Sequence, residues 1–126
     1  MGKIARLEDL NAWGEARKLA KMLFDLAGRL PPQEKFGISQ HLRGNGRHIP
    51  ANIAEGFGRI YLKDSVQFYR VAMGSLGEVK SDVYLCFDRG YIENAELDEY
   101  LRQIEKVGKL VNGLIFSAGK VKRQRI

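Results

Sequence analysis

Two histidines, five serines and a pair of separated carboxylates are the residues of this chain whose types could do chemistry. His41 and His48 stand seven positions apart. On a helix that is two turns, too far to share one metal. A di-metal helical bundle needs Glu-x-x-His pairs projecting inward. Neither histidine has a glutamate three residues before it. Ser39, Ser65, Ser75, Ser81 and Ser117 have no evident base and no strained elbow motif around them. Glu55 and Glu78 can be brought face to face, but ion pairing with arginine is the simpler use. Glu55 precedes Arg59 by four, the favourable order for a helical ion pair. No enzyme activity, metal or cofactor is expected.

Gly56-Phe57-Gly58-Arg59 invites comparison with a phosphate loop. A Walker loop needs more glycines, a lysine before a helix and a preceding strand. None of that context surrounds residues 56–59. Anions also prefer the N-terminal end of a helix, and these residues close one. Gly56 and Gly58 are therefore expected as a C-terminal cap.

The cations say more. The chain carries 21 Lys and Arg against 15 Asp and Glu, a net charge of +6. That excess favours anionic partners, although it serves solubility equally well. Arg43 and Arg47 are one helical turn apart, with His48 beside them. Lys120, Lys122, Arg123 and Arg125 crowd the last seven positions, and Lys3, Arg6, Arg17, Lys18 and Lys21 lie near the other terminus. In an antiparallel bundle the start of helix one and the end of helix four share one end. Charge gathered there would form a phosphate-binding patch. No RNA-recognition motif, zinc finger or helix-turn-helix signature accompanies it, so sequence-specific readout is not expected.

Four helices must position these residues. The first spans about Leu10 to Leu30, with Trp13, Ala16, Ala20, Leu23, Ala27 and Leu30 at three-four spacing. Leu19 and Leu26 widen that stripe. Asp9 or Asn11 is placed to cap its start, and Pro31-Pro32 stops it. The second spans about Glu34 to Phe57, with Ile38, Leu42, Ile49 and Ile53 inward. An interior proline costs about 3 kcal/mol in a helix. A kink or a break is therefore expected around Gly46–Pro50. The third spans about Ser65 to Asp88, opening on a variant capping box at Asp64–Gln67. Its stripe is Tyr69, Ala72, Leu76, Val79, Val83 and Cys86. Gly74, Ser75 and Gly77 would let a neighbouring helix approach. Arg89-Gly90 ends it. The fourth spans about Ala95 to Ala118, with Asn94 as cap and Leu97, Leu101, Ile104, Val111 and Ile115 inward.

No segment alternates with period two, so no strand is expected. The reading is an all-α, up-down-up-down antiparallel four-helix bundle. It is one domain over residues 1–119 followed by a basic tail, 120–126. The single cysteine, Cys86, excludes an internal disulfide. Its apolar surroundings predict a buried structural thiol. No run of 18 apolar residues occurs, so no membrane span is expected. The N-terminal residues lack an apolar signal core, which makes the cytoplasm the expected location.

Two blocks carry a resemblance. "IPANIAEGFGR" at 49–59, followed by "FYRVAMGSLGEVKSDVYL" from Phe68, resembles the four helix bundle or 23S rRNA-intervening sequence protein family, also called the S23 ribosomal protein family. Arg43, Ile49, Pro50, Asn52, Ile53, Ala54, Glu55, Gly56, Gly58 and Arg59 fit its first pattern. Phe68, Ala72, Gly74, Ser75, Leu76 and Glu78 fit its second. Trp13 with Ala16 resembles the signature of its first helix, and Glu34 to Gly37 the entry to its second. The chain departs from the pattern at Gly44, Asn45, Gly46, Arg47 and His48, where Arg47 supplies the second charge one turn away.

The resemblance implies a small four-helix bundle that assembles into a ring, with a pentamer expected. It also implies RNA or DNA as a partner and, by analogy with a related group, a reverse transcriptase. A polar network of Arg43, Asn52, Glu55, Arg59 and Glu78, buried or interfacial between helices two and three, is a further expectation. Two functions follow from different classes. One is a homo-oligomeric module binding nucleic acid nonspecifically. The other is a protein-interaction scaffold whose charge is incidental.

Overall fold

A computed structural model of the chain describes residues 4–59 and 62–119, and the backbone alone of 120–125. Four helices make the molecule: α1, Asn11–Arg29; α2, Ile38–Phe57; α3, Leu62–Asp88; and α4, Asn94–Arg125. Short 3-10 turns at Leu7–Asp9 and Pro32–Glu34 precede α1 and α2. No strand occurs among the described residues. Each helix packs chiefly on its neighbours in chain order, and α1 closes the ring against α4. α2 and α4 are thus the diagonal pair. No helix of the described residues is long and apolar enough to cross a membrane.

The helix ends show which local signals operate. Leu30 is extended before Pro31 (ψ 153°), as the proline ring demands. Gly90 takes φ +77°, and the Tyr91 and Gly90 amides donate to the Cys86 and Phe87 carbonyls at 2.9 and 3.0 Å. That is a Schellman ending, where glycine avoids the left-handed penalty. Other caps differ from expectation. Leu10 precedes α1 with no side-chain cap, because Asp9 is taken into the preceding 3-10 turn. Asp64 lies inside the first turn of α3, where its charge complements the helix dipole.

α2 does not break at Gly46–Pro50. It runs continuously from Ile38 to Phe57 with Pro50 inside it. The cost of the proline is met by burial: Leu42, Ile49 and Ile53 on either side of it are at most 1% exposed. Burying each such side chain contributes about 1.5–3 kcal/mol. Gly58 caps the helix as expected, its amide donating to the Ala54 carbonyl at 3.0 Å, but in a right-handed conformation with φ −79°. Gly56 lies within the helix and serves a close contact. A Cβ there would sit 2.6 Å from Tyr69 Cε1 and 3.0 Å from the Ser65 carbonyl. The glycine lets α2 and α3 touch.

The core joins Leu19, Leu23 and Leu26 of α1 to Val79 and Val83 of α3 and Val107 and Val111 of α4, with the α2 residues above. The expected stripe of α3 is buried throughout, and those of α1 and α2 are buried except at Trp13, Leu30 and Ile38, which are half-buried at the helix ends. On α4 the centre shifts to Leu97, Tyr100, Ile104, Val107 and Val111, leaving Leu101 and Ile115 half-buried. Buried Ser39 donates to the Ala27 carbonyl at 3.1 Å, tying α2 to α1. Cys86 is fully buried and unpaired; burial, then the Asp82 and Glu34 charges, push its thiol up to about 11. It is an unreactive core residue.

Candidate nucleic-acid interface

Arg43 and Arg47 project from α2 into solvent, one turn apart. Neither has an ionic partner among the described residues. His48 is exposed beside them. Because α2 is diagonal to α4, this pair stands apart from the chain's C-terminal end. The side chains of Lys120, Lys122, Arg123 and Arg125 lie outside the described residues.

A second group of cations lines the seam where α1 meets α4. Glu15, on α1, accepts from the Gln103 amide at 3.1 Å and from Lys18 Nζ at 3.1 Å, with Lys106 Nζ at 3.7 Å. Gln103 also donates to the Glu15 backbone carbonyl at 2.9 Å. The Gln103 hydrogen bond first, then that of Lys18, holds the Glu15 carboxyl below its usual range. Arg102 and Lys109 flank Lys106 on exposed turns of α4, and Arg17 and Lys21 flank Lys18 on α1. Arg17 stacks on Trp13 at 4.9 Å from the ring centroid. Between the two helices lies an open groove of about 540 Å³, floored by Met22 and edged by Arg102, Lys106 and Lys109 together with Glu99 and Glu105. One carboxylate thus holds two lysines, and the surface around them is of mixed charge, positive on balance, with Glu105 bonded to Lys109. Spacing alone carried this signal: residues 102, 106 and 109 fall at i, i+4 and i+7.

The polar network takes a different shape from the one expected. Arg59 donates to Glu55 at 2.7 Å in an exposed pair, and its guanidinium lies 4.6 Å from the Phe68 centroid on α3. Asn45, not Arg43, reaches Glu78, donating at 3.3 Å. Asn52 turns back to donate to the His48 carbonyl at 2.8 Å. Within one chain these are separate contacts: Asn45–Glu78 links α2 to α3, and Arg59, just past the end of α2, reaches Phe68 on α3. His41 and His48 are both exposed. The described residues contain no group of three His, Cys, Asp or Glu able to hold a metal ion.

Charge is also sorted along the bundle. Residues 76–105, the end of α3 and start of α4, hold eight of the 15 carboxylates but three of the 21 Lys and Arg. Arg29 on α1 pairs with Glu96 there at 2.5 Å. The remaining excess of positive charge lies elsewhere in the chain, much of it toward the opposite end.

These features define an all-α four-helix-bundle protein with a polarised, basic surface. The chain belongs to the 23S rRNA-intervening sequence protein family, which matches residues 8–113. It is similar in structure to a protein of unknown function from the S23 ribosomal protein family of Bacteroides thetaiotaomicron VPI-5482. The two are 20% identical, with a TM-score of 0.76, covering 82% of this chain and 94% of that one. At that identity the likeness establishes the fold. No curated protein matches the chain.

Proposed function

We propose that the protein is a non-enzymatic, homo-oligomeric module that binds nucleic acid nonspecifically through the basic face where α1 meets α4. The observation that supports this is the seam itself. Lys18 and Lys106 are held by one carboxylate, with exposed Lys21 one turn from Lys18 and exposed Arg102 and Lys109 one turn either side of Lys106, Lys109 being bonded to Glu105. Cations spaced by helical turns along two neighbouring helices suit a phosphate backbone and carry no base readout. Assembly is the second part of the reading, and a pentamer is the expected form. Its support is the outer face of α3, where Val71 and Leu85 are 52% and 46% exposed and the space above Gly74 is open.

The test is fluorescence anisotropy of labelled structured RNA and duplex DNA at several salt concentrations, on protein freed of copurified nucleic acid. Binding is expected to fall steeply with salt, by about −0.9 in log–log slope per duplex phosphate neutralised. Arg102→Gln with Lys106→Gln should weaken binding to every sequence and flatten the slope by roughly 2. Arg43→Gln with Arg47→Gln separates the α2 pair from the seam. Absence of binding at low salt would overturn the reading. Sedimentation of the same sample checks assembly.

A further inference from the structure

The edge of α1 that meets α2 carries a different surface from the α4 seam. Phe24 there is 44% exposed. Its ring lies against α2 where that helix has no side chain: a Cβ at Gly46 would stand 3.2 Å from Phe24 Cε1. Ser39 of α2 donates to the Ala27 carbonyl one turn further along α1, on the same edge. Lys21, Arg17 and Trp13 precede Phe24 by three, seven and eleven positions, and so share its side of α1. Lys21 stands highest on that side, on the crest shared with the seam. Arg17 and Lys21 are exposed and Trp13 is half-buried, with the Arg17 guanidinium 4.9 Å from the Trp13 ring centroid. On α2, Arg43 stands one turn before Gly46 and Arg47 directly after it, both exposed. None of these four cations has an ionic partner among the described residues. Asp25, the exposed carboxylate nearest in sequence, is turned about 100° from Phe24 around the helix.

Two aromatic rings thus alternate with unpaired cations along one strip. Trp13 to Phe24 is eleven residues, roughly 16 Å at 1.5 Å each. That is about five nucleotides at 3.4 Å per base. We infer that this strip binds a single strand of nucleic acid, with bases stacked on Phe24 and on the Arg17–Trp13 pair and phosphates held by Arg43, Arg47 and Lys21. The inference rests on the reading of a nucleic-acid partner and deepens it: the seam serves a duplex backbone, and this strip serves unpaired bases. A base lies on an aromatic ring only when its own face is free. A duplex turns its phosphates outward and keeps its base faces covered, so the Phe24 ring gives it nothing. Guanidinium planes stack on bases as aromatic rings do, so Arg17 over Trp13 extends the platform. The exposed apolar residues that support assembly, Val71 and Leu85, lie on α3 and leave this edge to another partner.

The test is anisotropy of the full chain with labelled oligothymidine of roughly 16 nucleotides, alone or annealed to oligoadenosine. Phe24→Leu keeps an apolar side chain against Gly46 and removes the ring. It should weaken the single strand by about tenfold and leave the duplex unchanged. Phe24→Tyr should restore single-strand binding. The salt slope separates the two kinds of contact. Phe24→Leu should leave it alone, while Arg43→Gln with Arg47→Gln should flatten it by about 1.4, at about 0.7 per single-strand phosphate. Trp13 is the chain's single tryptophan, so its emission reports the contact directly, and the single strand should quench it. If Phe24→Leu changes neither affinity, or weakens both alike, the inference fails while nucleic-acid binding itself still stands. If the unaltered protein binds neither strand nor duplex at low salt, both readings fall together. Sedimentation tests the other occupant. An assembly weakened by Phe24→Leu, with single-strand affinity unchanged, would give this edge to a second copy and overturn the inference.

Discussion

Asp82 shows how a single residue's surroundings set a measurable property. Its half-buried carboxyl lies on α3 with His41 and Glu78 as charged neighbours. Burial lifts its pKa above the ordinary 3.8; the His41 charge opposes the lift and the Glu78 charge adds to it. A raised carboxyl pKa means the folded chain binds the proton more tightly than the unfolded chain. Below 3.8 both states are protonated and Asp82 is neutral toward folding. Above the folded pKa the ionised form disfavours folding. Asp82→Asn should therefore stabilise the protein at neutral pH, by less than about 1 kcal/mol after solvent screening. The gain should disappear at about pH 3. Urea midpoints at the two pH values measure it. A loss of stability at neutral pH would mean that burial does not disfavour the ionised carboxyl. Glu15 runs the other way, held low by Gln103 and Lys18, so its contribution is present at neutral pH and lost on acidification through its lowered pKa.

At the scale of elements, the contact of α2 with α3 depends on one missing methyl group. Gly56 is buried against the Tyr69 ring and the Ser65 carbonyl, and Tyr69 is itself 5% exposed. Neither neighbour is free to move. Gly56→Ala should destabilise the protein by about 1–3 kcal/mol, as overpacking does, despite alanine's better helix propensity. Gly77→Ala, on an open face of α3, should instead stabilise by up to about 1 kcal/mol. Thermal melts of the pair measure the contrast, and a stabilising Gly56→Ala would show that the two helices have room to part. Sequence alone did not reveal which glycine did what. The stripes of α1, α2 and α3 were legible because three-four spacing is imposed by burial on one side. Gly56, Gly58, Gly74 and Gly77 look alike in that pattern, because what distinguishes them is the neighbouring helix. Pro50 does not break α2, because the local penalty is offset by packing on both sides of the proline. The seam cations Arg102, Lys106 and Lys109 were legible by spacing but overshadowed by the denser basic tail. The pairing of Lys18 and Lys106 through Glu15 joins residues too far apart in sequence to read.

The whole molecule adds a direction to the proposed binding. Its acidic stretch, residues 76–105, ends α3 and begins α4, so it lies where α1 finishes and α2 starts. A polyanion approaching that end meets exposed Glu93, Asp98 and Glu99 and is repelled. Approaching the α1–α4 seam toward the other end, it meets Lys18, Lys21, Lys106 and Lys109. Repulsion at one end and attraction along the other orient the bundle on nucleic acid without any base contact. Screening limits this steering to about 10 Å at 0.1 M salt, so the preference should be sharpest in dilute buffer. Ultraviolet crosslinking of bound duplex RNA, followed by mass spectrometry, should place adducts within residues 11–21 and 102–125 and leave 82–99 unmarked. Raising the salt should reduce the yield at both basic segments together, since one surface is released at once. Adducts concentrated on α2 around Arg43 and Arg47 would move the binding face to the bundle's far side and leave the seam a structural ion pair. Adducts within 82–99 would mean that charge sorting along the bundle does not govern how the molecule meets its anion.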